Sequence, residues 1–277
     1  MQKAGADRGA GLFFGARHEA ADPLATQAMT PKPALPAATL ILVRDRPTGS
    51  PELLMVERAA TMAFAAGMMV FPGGKIDSKD IELGDRLRHP LGGAIVAAVR
   101  ETLEETAVPA GLFPLPVPEL ALELQRALLA DVSLATLLDQ YQLVLDPAAL
   151  TNFTRWLPPG DAPRRFDTWF FVAAAPPGEW HPNIAEDENS AAEWVTASHA
   201  LERDQLGTAS VIFPTRCNLE RLALHESYAE ILADVTRHPP ETISPVIEER
   251  DGDLWLTIPT GLGYPRTAER LDRAKRG

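Results

Sequence analysis

The sequence predicts an α/β fold, a mixed sheet covered by helices, and three observations carry that prediction. Short apolar runs bounded by Pro, Gly and Asp alternate with segments of helical period. Some of those runs are joined closely enough to be hairpins, which a purely parallel sheet does not contain. The chain has 277 residues, 45% of them hydrophobic and 23% charged, which suits one elaborated domain with a sizeable core.

Residues 1–33 are rich in Ala, Gly and charge and show no sustained period, so they read as a flexible arm ahead of a domain over residues 34–277. The run 37–44 and the run 52–57, joined by a Pro/Gly/Ser turn, make a hairpin. A third short run, 68–71, stops at Pro72-Gly73-Gly74. After Gly93 the period turns helical: Ile95, Val96, Val99 and Leu103 share one face, with Glu101, Glu104 and Glu105 opposite. Pro109 and Gly111 end that helix. Helical patterns at 119–130, 134–142 and 146–156 predict a helical insertion at about 112–158. Its leucines either pack on the sheet or, with few Lys or Arg among them, form an apolar cap over part of a ligand that carries no charge. Strands at 168–174 and 192–195, helices at 198–205 and 218–236, and a strand pair at 243–248 and 254–258 turned by Asp251-Gly252 complete the pattern.

The formal net charge of -12 argues against a general nucleic-acid coat, which needs an excess of Lys and Arg. It does not oppose a small phosphorylated substrate, because a bound divalent cation reverses the local field. Cys217 is the single cysteine, so no intramolecular disulfide forms; it reads as a small buried apolar residue. No run of about 18 apolar residues is present and the N-terminus lacks the apolar core of an export signal, so the expectation is a cytoplasmic protein without a membrane partner.

Glu101, Glu104 and Glu105 stand three and four residues apart, within about a third of one helix's circumference. Like charges so placed repel, and Arg100 offsets only part of their charge. A hard divalent ion would offset the rest, since Mg²⁺ takes carboxylate oxygens, waters and substrate phosphates. Upstream, Gly73 and Gly74 let the backbone approach a ligand closely. Strand, Gly-Gly turn and acid-rich helix together make a candidate phosphate–metal site.

These residues resemble the Nudix family, whose box reads G-x5-E-x7-R-E-U-x-E-E-x-G-U with U aliphatic. Gly74 matches the opening glycine, Asp80 stands where the family has glutamate, and residues 100–108 match the helical half. The chain departs at Asp80, at Thr102 in place of an aliphatic residue, at Ala107 in place of glycine, and in a spacer of nineteen residues between Asp80 and Arg100. Residues 53–58, 70–74, 165–168 and 193–195 resemble the strands around such a box. The resemblance implies a Nudix-type α/β/α sandwich. The interrupted box and the Phe-Pro-Gly-Gly approach resemble the branch of coenzyme A and acyl-coenzyme A diphosphatases.

What the resemblance implies is hydrolysis of a diphosphate linkage with Mg²⁺ or Mn²⁺. Glu101, Glu104 and Glu105 are then metal ligands and catalytic acids, the Gly74 carbonyl is a further ligand, and Arg100 orients a catalytic glutamate. Arg58, Gly73 and Gly74 are candidates for substrate binding, and one of Glu186, Asp187 and Glu188 is a candidate additional acid. The implied partner is a small diphosphate compound, and a homodimer is compatible with it. Asp80 and Ala107 leave room for an alternative, a catalytically weak Nudix-fold binding or regulatory module for a nucleotide; the intact glutamate set favours the enzyme.

Overall fold

Alternation along the first strand, β1 (Leu35–Arg44), sets the architecture. Ala38, Leu40 and Leu42 enter one apolar cluster while Ile41 and Val43 enter another, so this strand is buried on both faces. A strand of that kind needs a layer of structure on each side. The computed structural model describes residues 33–59, 67–159, 165–184 and 189–274. The expected arm lies, but for Pro33, outside them.

In chain order, β1 is followed by β2 (Glu52–Arg58), β3 (Met69–Val70), β4 (Gly73–Lys75), α1 (Ser78–Arg86) and α2 (Gly92–Thr106). Next come β5 (Leu112–Phe113), α3 (Pro118–Leu129), α4 (Leu134–Tyr141), β6 (Val144–Leu145), β7 (Thr151–Trp156), β8 (Phe166–Ala174) and β9 (Asn189–Thr196). The chain continues with α5 (Ala197–Leu206), α6 (Phe213–Leu222), α7 (Tyr228–Arg237), β10 (Thr242–Ile243), β11 (Val246–Arg250), β12 (Asp253–Thr257), β13 (Ala268–Arg270) and α8 (Leu271–Ala274).

The main sheet runs β10-β7-β8-β1-β2-β3, with β4 added to β1 and β9 to β2. β8 is parallel to β1 and β10 to β7, while the other pairs are antiparallel, so the sheet is mixed. Apolar residues of α1 to α4 share one cluster with one face of the sheet, and those of α5 to α7 share the other. The predicted α/β sandwich with a mixed sheet is what forms. Asp251 and Gly252, both at positive φ, turn β11 into β12 as expected. Cys217 is buried, and that burial holds its thiol well above its ordinary pKa. Among the described residues no helix is long and apolar enough to cross a membrane.

Four local expectations are corrected. Residues 151–156 form the sheet strand β7 rather than a helix, because Phe153 and Trp156 are buried between β8 and the helical layer beyond. The helix expected at 218–236 is two, α6 and α7, the second started by Ser227, whose hydroxyl accepts from Glu230 N. The helix α1 was not expected at all. The leucines of α3 and α4 do not form a cap: Leu124, Leu128, Leu134, Leu137 and Leu138 lie in the same buried cluster as α2. That segment supports the fold.

Candidate active site

The site is built where α2 crosses β4. Gly73 pairs with Thr39 and Gly74 with Ala38 on β1. A Cβ on Gly74 would lie 2.2 Å from Glu101 Oε1, so the Glu101 carboxylate rests directly against the Gly74 Cα. One turn further along α2, Glu105 Oε2 accepts a hydrogen bond from Gly73 N at 3.1 Å. The Gly-Gly turn and two of the three glutamates therefore meet.

Asp80 joins them through the glycine-mediated contact of α1 with α2. A Cβ on Gly84 would stand 2.2 Å from Gly93 N, and one on Gly92 would stand 2.3 Å from Gly84 O. Only glycines allow that approach. It places Asp80 against Arg100, whose Nε donates to Oδ1 at 2.8 Å and whose Nη2 donates to Oδ2 at 2.9 Å. Asp80 also closes a capping box with Asp77, each side chain accepting from the other's backbone N–H. The guanidinium has further work: Nη2 donates to Glu101 Oε1 at 3.0 Å and to the Lys75 carbonyl, and Nη1 donates to Glu104 Oε2 at 3.1 Å. Arg100, four-fifths or more buried, thus holds three carboxylates at once. The nineteen-residue spacer lets a shorter acid arrive from its own helix to make that pair.

Lying opposite the apolar stripe of α2, the three glutamates would be expected to face solvent. That is corrected: Ala97, Ala98 and Thr102 are fully buried, and Glu105 is 2% exposed. Thr102 satisfies its hydroxyl on the Ala98 carbonyl at 2.7 Å, which is how a polar residue occupies this apolar position. Burial, and then the negative charge of Glu101, push the Glu105 carboxyl up to about 8, against the opposing effects of Arg58, Gly73 N–H and Asn189. Arg58 Nη1 lies 3.7 Å from Glu105 Oε1, an ion pair longer than a hydrogen bond.

Among the described residues no three His, Cys, Asp or Glu side chains converge as a ready-made set of metal ligands. The donor chemistry nevertheless fits a hard divalent cation. Glu105 Oε1 is buried and accepts no hydrogen bond, the nearby Glu101 charge disfavours its ionisation, and the Gly74 backbone lies against Glu101. Glu186, Asp187 and Glu188 lie outside the described residues.

A cavity of about 630 Å³ opens from this cluster. Arg58, Gly73, Gly74, Lys75, Glu101 and Glu104 form its polar end. Its walls are aromatic and apolar, with Trp156 of β7, Phe166 and Phe170 of β8, and Phe213 at the start of α6. Nothing in the sequence spacing joined those residues to the box, because β7, β8 and α6 reach it only through the sheet order.

No family model matches the chain. A Caenorhabditis elegans protein named as a nudix hydrolase is 26% identical over 204 residues, which is 69% of this chain and 64% of that protein. The Nudix hydrolase NudL of Cronobacter sakazakii is 42% identical over 73 residues, 26% of this chain and 31% of its own length. The crystal structure of a NUDIX hydrolase from Alicyclobacillus acidocaldarius matches with a TM-score of 0.63 at 29% identity, covering 74% of this chain and 97% of that one. The fold is the Nudix fold. The two curated relatives and this solved structure support the Nudix hydrolase family for the chain, which spans less than two thirds of the length of either curated relative.

A local strain lies at the end of α2. Ala107, where the box has glycine, caps α2 in the left-handed conformation at φ 57°, its N–H donating to the Leu103 carbonyl. A residue with a Cβ is disfavoured there by roughly 1–2 kcal/mol, partly offset by the greater chain entropy that glycine loses on folding. Ala107→Gly is therefore expected to raise stability by about 0.5–1 kcal/mol. A lower denaturation midpoint for that variant would contradict the reading.

Proposed function

We propose that the chain is a Nudix pyrophosphohydrolase that uses Mg²⁺ or Mn²⁺ to split a diphosphate joining a nucleoside to a second, largely apolar group. Coenzyme A and acyl-coenzyme A are the substrate class we favour. One observation carries the reading: Glu101, Glu104, the Gly-Gly turn and the aromatic walls belong to a single cavity of about 630 Å³. A site of this kind orients a ligand by its polar end and holds it by its apolar surface.

In this reading water attacks one phosphorus, the bridging P–O bond breaks, and the other phosphate leaves with the bond's electrons. Glu101 and Glu105 would hold the cation, with Glu104 and the Gly74 carbonyl as further oxygen donors. The cation, when bound, neutralises charge on the phosphate oxygens and makes water a better nucleophile. One of the same glutamates takes the proton of the attacking water. Arg100 fixes Glu101 and Glu104 by charge-assisted hydrogen bonds and is itself fixed by Asp80. Arg58 and the Gly73 N–H hold Glu105, and Phe166, Phe170 and Phe213 flank the non-phosphate part of the substrate.

The test is a substrate panel with Mg²⁺ or Mn²⁺, with products identified by mass. It should contain coenzyme A, an acyl-coenzyme A, NADH, ADP-ribose, dinucleoside polyphosphates and nucleoside triphosphates. Cleavage at a diphosphate, fastest for coenzyme A or its acyl form and abolished by chelation, is the expected result. Faster turnover of ADP-ribose or NADH would reassign the substrate. Binding of these compounds without cleavage would make the chain a nucleotide-binding module instead.

A further inference from the structure

Unpartnered buried polar atoms are rare in native proteins, and each one calls for a cause. Four of them gather at one point beside the acid helix: Arg58 Nε, Glu105 Oε1, and both Oδ1 and Nδ2 of Asn189. Asn189 is 0% exposed, so its carboxamide has no solvent to satisfy it. It begins β9 and is paired across the sheet with Arg58, the last residue of β2. That pairing follows a register shift between Glu57 and Arg58. An irregularity of this kind re-aims the side chains that follow it. The Asn189 carboxamide consequently faces the Glu105 carboxylate, close enough to favour its ionised form but short of hydrogen-bond geometry.

We propose that Asn189 is a positioning residue for Glu105, its carboxamide restricting the carboxylate whose Oε2 is held by Gly73 N–H. The inference rests on the hydrolase reading above. Glu105 has two oxygens with different surroundings: Oε2 is anchored to the backbone of Gly73, whereas Oε1 has only the long ion pair with Arg58. Without a second contact the carboxylate is free to turn about the anchored oxygen. Asn189 stands beside Arg58 at the same carboxylate, so the two side chains together would set the direction of the free oxygen. A buried carboxamide with neither polar atom satisfied carries a desolvation cost that a purely structural position avoids with an apolar residue. No spacing in the sequence marked this residue, which lies 84 positions from Glu105 and reaches it only through the pairing of β9 with β2.

The experiment uses Asn189→Ala, which removes the carboxamide, and Asn189→Asp, which keeps its shape but replaces the donor by an oxygen. Each is compared with the wild type for kcat and KM on whichever of coenzyme A, NADH or ADP-ribose the wild type hydrolyses. Mn²⁺ affinity is measured by calorimetry on the same samples. Loss of an outer contact to a metal-holding carboxylate lowers activity or metal affinity about ten- to hundredfold. Both variants are expected to lose that factor in kcat and in Mn²⁺ affinity, with KM changed less than about threefold. Wild-type kcat and Mn²⁺ affinity in either folded variant would overturn the proposal. So would a raised KM with kcat kept, because that would place Asn189 on the substrate. If the alanine variant does not fold, the aspartate variant decides alone. If the wild type hydrolyses none of the three compounds, the hydrolase reading fails separately and the Mn²⁺ titration still decides the role of Asn189.

Discussion

Glu105→Gln is expected to lose on the order of a hundredfold or more in turnover at saturating Mg²⁺ while keeping its fold. The substitution suits this position because the shape is kept and only the charge is removed. The amide oxygen can still accept from Gly73 N, as Glu105 Oε2 does. Burial already disfavours the charged form here, so a neutral side chain costs the fold little. Arg58 loses an ion pair of 3.7 Å, too long to have been a strong hydrogen bond. Activity should therefore fall without a matching fall in melting temperature. Wild-type turnover in this variant would remove Glu105 from the chemistry and with it the reading of α2 as the acid helix.

Much of the fold was legible because binary patterns were simple there. The alternation of β1 and β2, the Asp251-Gly252 turn and the helical period after Gly93 each follow from a single local rule. Misreadings came where two rules compete. Residues 146–156 contain enough apolar residues to suit either period, and burial of Phe153 and Trp156 decided for a strand. Helix α1 was overlooked because its start is an Asp77/Asp80 capping box, a less frequent form than Ser/Thr with Glu. Asp80 was also already accounted for as a box acid.

The site was legible along one helix and illegible across the sheet. Arg100, Glu101, Glu104 and Glu105 are near in sequence, and the structure gathers them with Gly73 and Gly74. Their burial was not legible, since a helical wheel contains no neighbours. The contact that brings Asp80 to Arg100 depends on Gly84, Gly92 and Gly93, a pattern visible only once two helices are known to cross. The aromatic walls were hidden for the same reason, while the leucines of α3 and α4, nearer in sequence, pack in the cluster beside α2. Sequence distance to a motif says little about distance to its cavity.

Gly73→Ala and Gly74→Ala should separate the fold from the chemistry, although the two residues are adjacent. At Gly73 an added Cβ would meet the backbone of β1, 2.5 Å from the Ala38 carbonyl and 2.7 Å from Thr39 Cα. Backbone cannot yield without parting β4 from β1, so Gly73→Ala is expected to destabilise by about 1–3 kcal/mol. At Gly74 the added methyl would first meet the Glu101 carboxylate, 2.2 Å from Oε1 and 2.4 Å from Cδ. That is the far end of a flexible side chain, which can turn away at small cost to stability. Turning away breaks its contact with Arg100, 3.0 Å long, and moves a proposed metal-holding oxygen by an ångström or more. Misplacement on that scale lowers turnover about a hundredfold. Gly74→Ala should thus unfold close to the wild-type denaturant midpoint but turn over little substrate. A Gly74→Ala protein with wild-type kcat would show that Glu101 need not lie against the Gly-Gly turn, and the proposed ligand set would have to be rebuilt without it.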